Sequence, residues 1–250
     1  MLFKQLSEPV SSTYTYLIGC EETGQAVLVD PVLPTWQRDL EEIAKLGLRL
    51  VYSLDTHVHA DHITAARKLK DEAGSRIAHP AIDALPCTDL PLREGTPLTL
   101  GSIRIEPLFT PGHTDGHHAY RVGDERVLTG DALLIDGCGR TDFQSGDATT
   151  LYRSVTGKLF TLPDETLVYP GHDYEGRWVS SIAQEKTRNP RLGGERPLAE
   201  FVELMDSLNL SYPKFIDFAV PGNRACGECP PGVPEHLQQY CEQIGESRQG

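Results

Sequence analysis

Thr56-His57-Val58-His59-Ala60-Asp61-His62 places three imidazoles and a carboxylate within six positions, at the end of the largely apolar stretch Leu48-Arg49-Leu50-Val51-Tyr52-Ser53-Leu54-Asp55-Thr56. The run reads as a buried strand leading into His57. In extended backbone residues 57 and 59 project to the same side, so both rings can face one point. Helical spacing begins at Ile63 and continues to Ala73, which lets Asp61 and His62 turn back toward that point from the first turn. An acid at a helix start also suits the helix dipole, so Asp61 alone reads equally as a cap. A cap does not explain three histidines beside it.

Outward from this cluster, strands and helices alternate. Residues 14–20 and 26–30 read as strands joined by a polar turn, and 35–47 as a helix that Gly47 stops. A short strand follows at 76–78. The middle is strand-rich (103–110, 117–122, 126–131). Helices are expected at 147–159, 174–187 and 197–208, with a strand at 166–169. Hairpin-length turns between several strands argue against a doubly wound sheet. The reading is α/β: a sandwich of two mixed sheets flanked by helices, with residues 1–188 as the main domain. After Asn189-Pro190 the character changes, and residues 189–250 read as a helical and proline-punctuated extension packing on that core.

The 250 residues are 39% hydrophobic and 24% charged, enough for a core and unlike a disordered chain. Lys+Arg total 23 against 36 Asp+Glu, a net charge of −13 that opposes nucleic-acid backbone binding. No apolar run reaches the roughly 18–20 residues of a membrane span. The first residues carry acid and proline where a signal peptide would be apolar, so a cytoplasmic or an already processed chain is expected. Six cysteines are too sparse for a disulfide framework, and reduced thiols are the expectation.

Three further residues stand at strand ends after a glycine: His113 in TPGHT, Asp131 in TGD and His172 in PGH. With the first cluster they supply five imidazoles and two carboxylates. Such nitrogen and oxygen sets bind Zn, Fe or Mn, whereas a structural thiolate site would use cysteine.

These motifs, all present and in order over about residues 12–175, resemble the metallo-β-lactamase superfamily. That resemblance implies an αββα sandwich and, by default, metal-hydroxide hydrolysis, with the thiolester-cleaving glyoxalase II among its members. The stretch Thr129–Gln144 (TGDALLIDGCGRTDFQ), the run YPGHDY at 169–174 and the tail IDFAVP at 216–221 are more specifically similar to persulfide dioxygenases of the ethylmalonic-encephalopathy protein type. That family implies one non-haem Fe(II) per chain on His57, His113 and Asp131, with open positions for O₂ and a sulfur substrate. It implies that His59, Asp61, His62 and His172 stay off the metal as an outer shell. The reaction implied is glutathione persulfide + O₂ + H₂O → glutathione + sulfite + 2 H⁺. Superfamily members often pair, so a homodimer is compatible with the reading.

A glutathionyl group carries two carboxylates and an ammonium, and needs local cations. Residues 174–224 hold seven basic and seven acidic side chains, leaving the whole −13 elsewhere. Arg140 is the first choice for a substrate carboxylate, through its bidentate fork; the alternative is a structural pair with Asp142 or Asp173. Tyr174, Lys214 and Arg224 are further candidates, and Asp173 is read as orienting a neighbour. Cys138, seven residues after Asp131, is a candidate for oxidation or persulfide formation, against a plain buried role. Cys226 and Cys229 form a lone CxxC, which His236 and Cys241 would have to join to make a zinc knuckle. His117 and His118 open a strand and carry no catalytic assignment. The rivals are a binuclear thiolester hydrolase of the glyoxalase II kind and a non-catalytic metal-binding sulfur carrier or sensor.

Overall fold

The computed structural model describes residues 1–236 and 238. They form two compact units: one of Met1–Pro91, Leu100–Ser102 and the chain from Tyr212 onward, the other of Leu92–Thr99 and Ile103–Ser211. Each unit is built on its own six-stranded mixed sheet with helices against it, as the alternating pattern implies.

In the first unit the strands run in sequence order: β1 (Leu2–Glu8), β2 (Thr13–Cys20), β3 (Gln25–Val29), β4 (Arg49–Leu54), β5 (Arg76–Pro80) and β6 (Leu90–Leu92). The first three pair antiparallel, and β3, β4 and β5 are parallel. Parallel neighbours need crossovers, supplied by α1 (Trp36–Lys45) and α2 (Ala66–Ala73). Leu17, Leu28, Leu33, Ile43, Leu50 and Leu69 form the core beneath those helices. The strand β1 was not expected, because Lys4, Gln5 and Ser7 break the alternation of its apolar residues. It forms by pairing residue for residue with β2, from Leu2↔Gly19 to Glu8↔Thr13.

The second unit orders its strands β12-β11-β10-β9-β8-β7. They are β7 (Leu98–Leu100), β8 (Ile103–Phe109), β9 (His118–Val122), β10 (Arg126–Gly130), β11 (Leu167–Pro170) and β12 (Ser180–Ser181). β10 and β11 pair in parallel, joined through α3 (Ala148–Gly157), while β8–β9, β9–β10 and β11–β12 are antiparallel. Asp147 caps α3, its carboxylate accepting from the Thr150 amide. Leu133, Leu151, Val155, Val168, Ile182 and Phe201 make this unit's core, which α5 (Leu198–Ser207) helps to close.

Three helix expectations need correction. The helix expected from Ile63 begins only at Ala66, so Asp61 and His62 precede α2 and do not belong to its first turn or its cap. The helix expected over 174–187 is only α4 (Ile182–Arg188), starting at its Ser181 cap. Upstream, Asp173 accepts from the amides of Glu175 and Arg177, which spends those donors in a turn. The proline-punctuated tail, in which no helix beyond 197–208 was expected, contains α6 (Ile216–Arg224), whose Ile216, Ala219, Gly222 and Asn223 are buried at helical spacing despite Pro221.

The reduced-thiol expectation is also corrected: Cys87 and Cys226 are joined in a disulfide across 139 residues. Spacing along the chain could not reveal the pair, since only the fold brings residue 226 to residue 87. This bond also removes Cys226 from any zinc knuckle, and Cys241 lies outside the described residues. Closing so long a loop restricts the unfolded chain. Cys87→Ala is therefore expected to cost about 2–4 kcal/mol in urea unfolding under oxidising conditions. The deficit should vanish when both proteins are unfolded in reductant. Among the described residues, no helix is long and apolar enough to cross a membrane.

Candidate metal centre

On the first unit, Asp30 follows β3 and β4 runs toward the histidine cluster. Asp30 adopts φ 50°, a left-handed conformation that aspartate tolerates better than most residues. Its carboxylate accepts from the Thr56 amide (2.7 Å), the Thr56 hydroxyl (3.0 Å) and His59 Nε2 (3.0 Å). All three residues are buried. With Nε2 donating to Asp30, Nδ1 is the atom His59 presents, and it is buried without a hydrogen-bond partner. Carboxylate–histidine pairs of this kind fix the tautomer of metal ligands.

His57 is oriented by the same device one step removed. The Thr56 hydroxyl has given its proton to Asp30, so it accepts from His57 Nδ1 at 2.9 Å and leaves Nε2 as the ligand atom. His62 donates from Nδ1 to Asp61 at 2.9 Å, and its buried Nε2 lacks a hydrogen-bond partner. The rings of 57, 59 and 62 lie 4.1 and 4.3 Å apart in succession. Burial disfavours charge on His59, but Asp30, aided by Asp61 and Asp55, outweighs it and raises the pKa to about 9. The pocket of carboxylates therefore favours positive charge at this ring.

On the second unit, His113 follows β8, Asp131 follows β10 and His172 follows β11. His113 Nδ1 donates to the Arg140 carbonyl at 2.7 Å, leaving Nε2 as the lone pair. Nε2 atoms of His113 and His172 each lie 3.6 Å from Asp131, on opposite carboxylate oxygens. That is too long for a hydrogen bond. It matches the about 3.4 Å separating two atoms that each sit about 2.1 Å from one ion at a tetrahedral angle. Asp131 Oδ1 is buried with no hydrogen-bond partner. A Cβ at Gly139 would fall 2.7 Å from His113 Nδ1, and one at Gly171 would fall 2.6 Å from Asp131 Oδ1. Both glycines thus let backbone approach the donor atoms closely. A buried carboxylate oxygen without a hydrogen-bond partner, with two imidazole nitrogens at this spacing beside it, is what a metal ion would complete.

Several residues that orient this set were not singled out from sequence. Asp30 had a signal, as an acid closing the apolar run 26–29. His117 is fully buried; its Nε2 accepts from the Asp131 amide at 3.1 Å while Nδ1 donates to Thr110. Arg177 had none. It binds Asp173 through two nitrogens and also reaches Asp136. Although burial opposes it, that contact and two backbone amides hold the Asp173 carboxyl below its usual range. Asp173 so fixes the turn behind His172, whose ring stacks parallel to Tyr174 at 6.0 Å.

The Arg140 fork is filled by Asp142, at 2.6 and 2.7 Å, and its remaining nitrogen donates to the Ser211 carbonyl. Tyr174, Lys214 and Arg224 are exposed. Cys138 is buried against Met205, and burial pushes its thiol up to about 11 despite nearby Arg191. A thiolate is therefore scarce near neutrality. In the native chain Cys138 is expected to resist iodoacetamide at pH 8 for hours and to react within minutes in denaturant. Mass spectrometry of the 138-containing peptide reads this directly, and rapid native labelling would refute the buried role.

The Metallo-beta-lactamase superfamily profile matches residues 9–172. The human protein described as persulfide dioxygenase ETHE1, mitochondrial, is 48% identical over 229 residues, covering 91% of this chain and 89% of the relative. A crystal structure of ETHE1 from Myxococcus xanthus superposes with a TM-score of 0.88 at 54% identity, covering 91% of this chain and all of that one. The hydroxyacylglutathione hydrolase of Cereibacter sphaeroides is 36% identical over 186 residues, 73% of this chain and 71% of its own.

Proposed function

Because the chain belongs to the metallo-β-lactamase superfamily and, within it, to the persulfide dioxygenases, we propose that it oxidises glutathione persulfide to sulfite and glutathione at one non-haem Fe(II). The observation that carries this is the extent of the match. It continues past residue 172, where the superfamily profile ends, whereas the hydrolase relative covers 73% of the chain.

His57, His113 and Asp131 are the proposed ligands, two imidazoles and one carboxylate that leave other positions open. Bound there, Fe(II) supplies the one-electron chemistry that lets O₂ react with a persulfide sulfur, which zinc lacks. The protein's own part is orientation. Thr56 and the Arg140 carbonyl fix the ring tautomers of His57 and His113, and His117 holds the Asp131 backbone. His59, Asp61, His62 and His172 are proposed to hydrogen-bond waters and substrate around the ion, and Asp173 to hold His172 in place. Lys214, Arg224 and Tyr174 are the proposed contacts for the glutathionyl carboxylates. Arg140 would join them by sharing its fork with Asp142. Thus residues 212–224 are proposed to line the substrate site.

Protein loaded with about one iron should consume O₂ with glutathione persulfide and release one sulfite per O₂. Zinc-loaded protein should consume none. Two metals per chain, with S-lactoylglutathione cleaved under argon and no persulfide-dependent O₂ uptake, would establish the hydrolase instead.

A further inference from the structure

Asn223 is buried at the C-terminal end of α6, beyond the region the superfamily profile matches. Its Nδ2 donates to the His59 carbonyl at 2.9 Å and to the His62 carbonyl at 2.7 Å, while Oδ1 accepts from the Thr64 amide at 2.8 Å. One side chain from 164 residues away thus ties both ends of the 59–64 turn. Only an amide of this length supplies two donors and an acceptor together. An aspartate in its place would lose both donors, and a glutamine would be one methylene too long.

The backbone that carries this side chain is itself held in place. The Cys226 amide donates to the Asn223 carbonyl, the Cys226 carbonyl accepts from the Arg67 amide, and the disulfide anchors Cys226 to Cys87. The backbone at Gly227 packs so closely on the Thr64 carbonyl that a Cβ there would clash with it. Asn223 is therefore a rigid post rather than a surface amide that happens to reach the loop.

We propose that Asn223 is a positioning residue for the metal centre, setting the backbone of the 57–64 segment and so the direction of its histidine donors. It acts through His59 and His62 and touches neither substrate nor metal. This deepens the proposed function and rests on its assignment of the metal to this segment.

The test uses cobalt(II) in the full chain, whose visible spectrum reports ligand geometry. Wild-type protein should bind the ion with a defined spectrum. Failure to do so, or an unchanged cobalt site in His57→Ala, would count against the metal assignment itself. Given wild-type binding, Asn223→Ala should weaken cobalt affinity about 10–100-fold, as loss of outer-shell support typically does, and change the spectrum. Phe201→Ala, in the core of the other unit, should lower the melting temperature yet leave spectrum and affinity unchanged. An Asn223→Ala protein that melts lower but keeps the wild-type spectrum and affinity would overturn the proposal. Asn223→Asp, which retains the acceptor and the volume, serves the same reading if the alanine variant does not fold. Hydrogen exchange on the wild-type chain is independent of both: cobalt should increase protection at 216–224 as well as at 57–64. Protection confined to 57–64 would overturn the coupling.

Discussion

Asp131→Ala and His113→Ala are each expected to abolish persulfide-dependent O₂ uptake and retained iron, and Asp131→Ala to leave the metal-free protein as stable as the parent, or slightly more so. Loss of metal follows from removing one of three proposed ligands. The stability expectation comes from the unfilled bonding around Asp131. Its Oδ1 is buried without a hydrogen-bond partner, and its neighbouring histidine nitrogens stand at 3.6 Å. A carboxylate in that position loses solvation without recovering it through hydrogen bonds. Removing it from the metal-free chain thus relieves a cost, whereas in the loaded chain it removes a ligand. Such opposition between local stability and activity is common where a site is built for a ligand. Iron content by plasma emission, an oxygen electrode trace and thermal melts of the chelated proteins test both halves. Near-parental iron in either variant would break the ligand assignment. A metal-free melting temperature lowered in Asp131→Ala by about 10 °C or more, as several kcal/mol would produce, would show this side chain to be structural instead.

The sequence made the donor set legible because its chemistry is concentrated. Three histidines and an acid at a strand end have few bland explanations, and glycine before His113, Asp131 and His172 marks the sharp turns that present them. The sheets were legible where burial is continuous, as in 14–20 and 126–131. What escaped is what depends on partners distant in sequence. A strand such as β1 exists because β2 is there to pair with it. The segment 174–179 gave a helical pattern, yet Asp173 takes two of its amides into a turn. Arg140 was legible only as a choice between a substrate anion and a pair with Asp142 or Asp173, and the coordinates place Asp142 in its fork. Asn223 and the Cys87–Cys226 bond lie furthest out of reach, joining segments separated by more than half the chain.

Asp30 carries the opposite profile to Asp131, and its loss should be the most damaging single change to the fold near the site. Every oxygen of its carboxylate is engaged, by the Thr56 amide, the Thr56 hydroxyl and His59 Nε2, and nearly all of it is buried. Truncation would strand all three donors away from water. Loss of a buried, hydrogen-bonded charge of this kind costs about 3–5 kcal/mol. Alanine adds backbone strain at φ 50°, so Asp30→Asn is the cleaner variant: asparagine accepts this conformation and keeps the size. It can still accept from Thr56 but must turn its amide toward one of the remaining donors. A loss of about 1.5–3 kcal/mol is expected for Asn, measured by urea unfolding of the metal-free chain. The metal should suffer as well, because His59 and, through Thr56, His57 lose the contacts that set their tautomers. A metal-free stability unchanged in Asp30→Asn, together with unaltered metal affinity, would mean that the histidine cluster holds its shape without the carboxylate on which all of these hydrogen bonds converge.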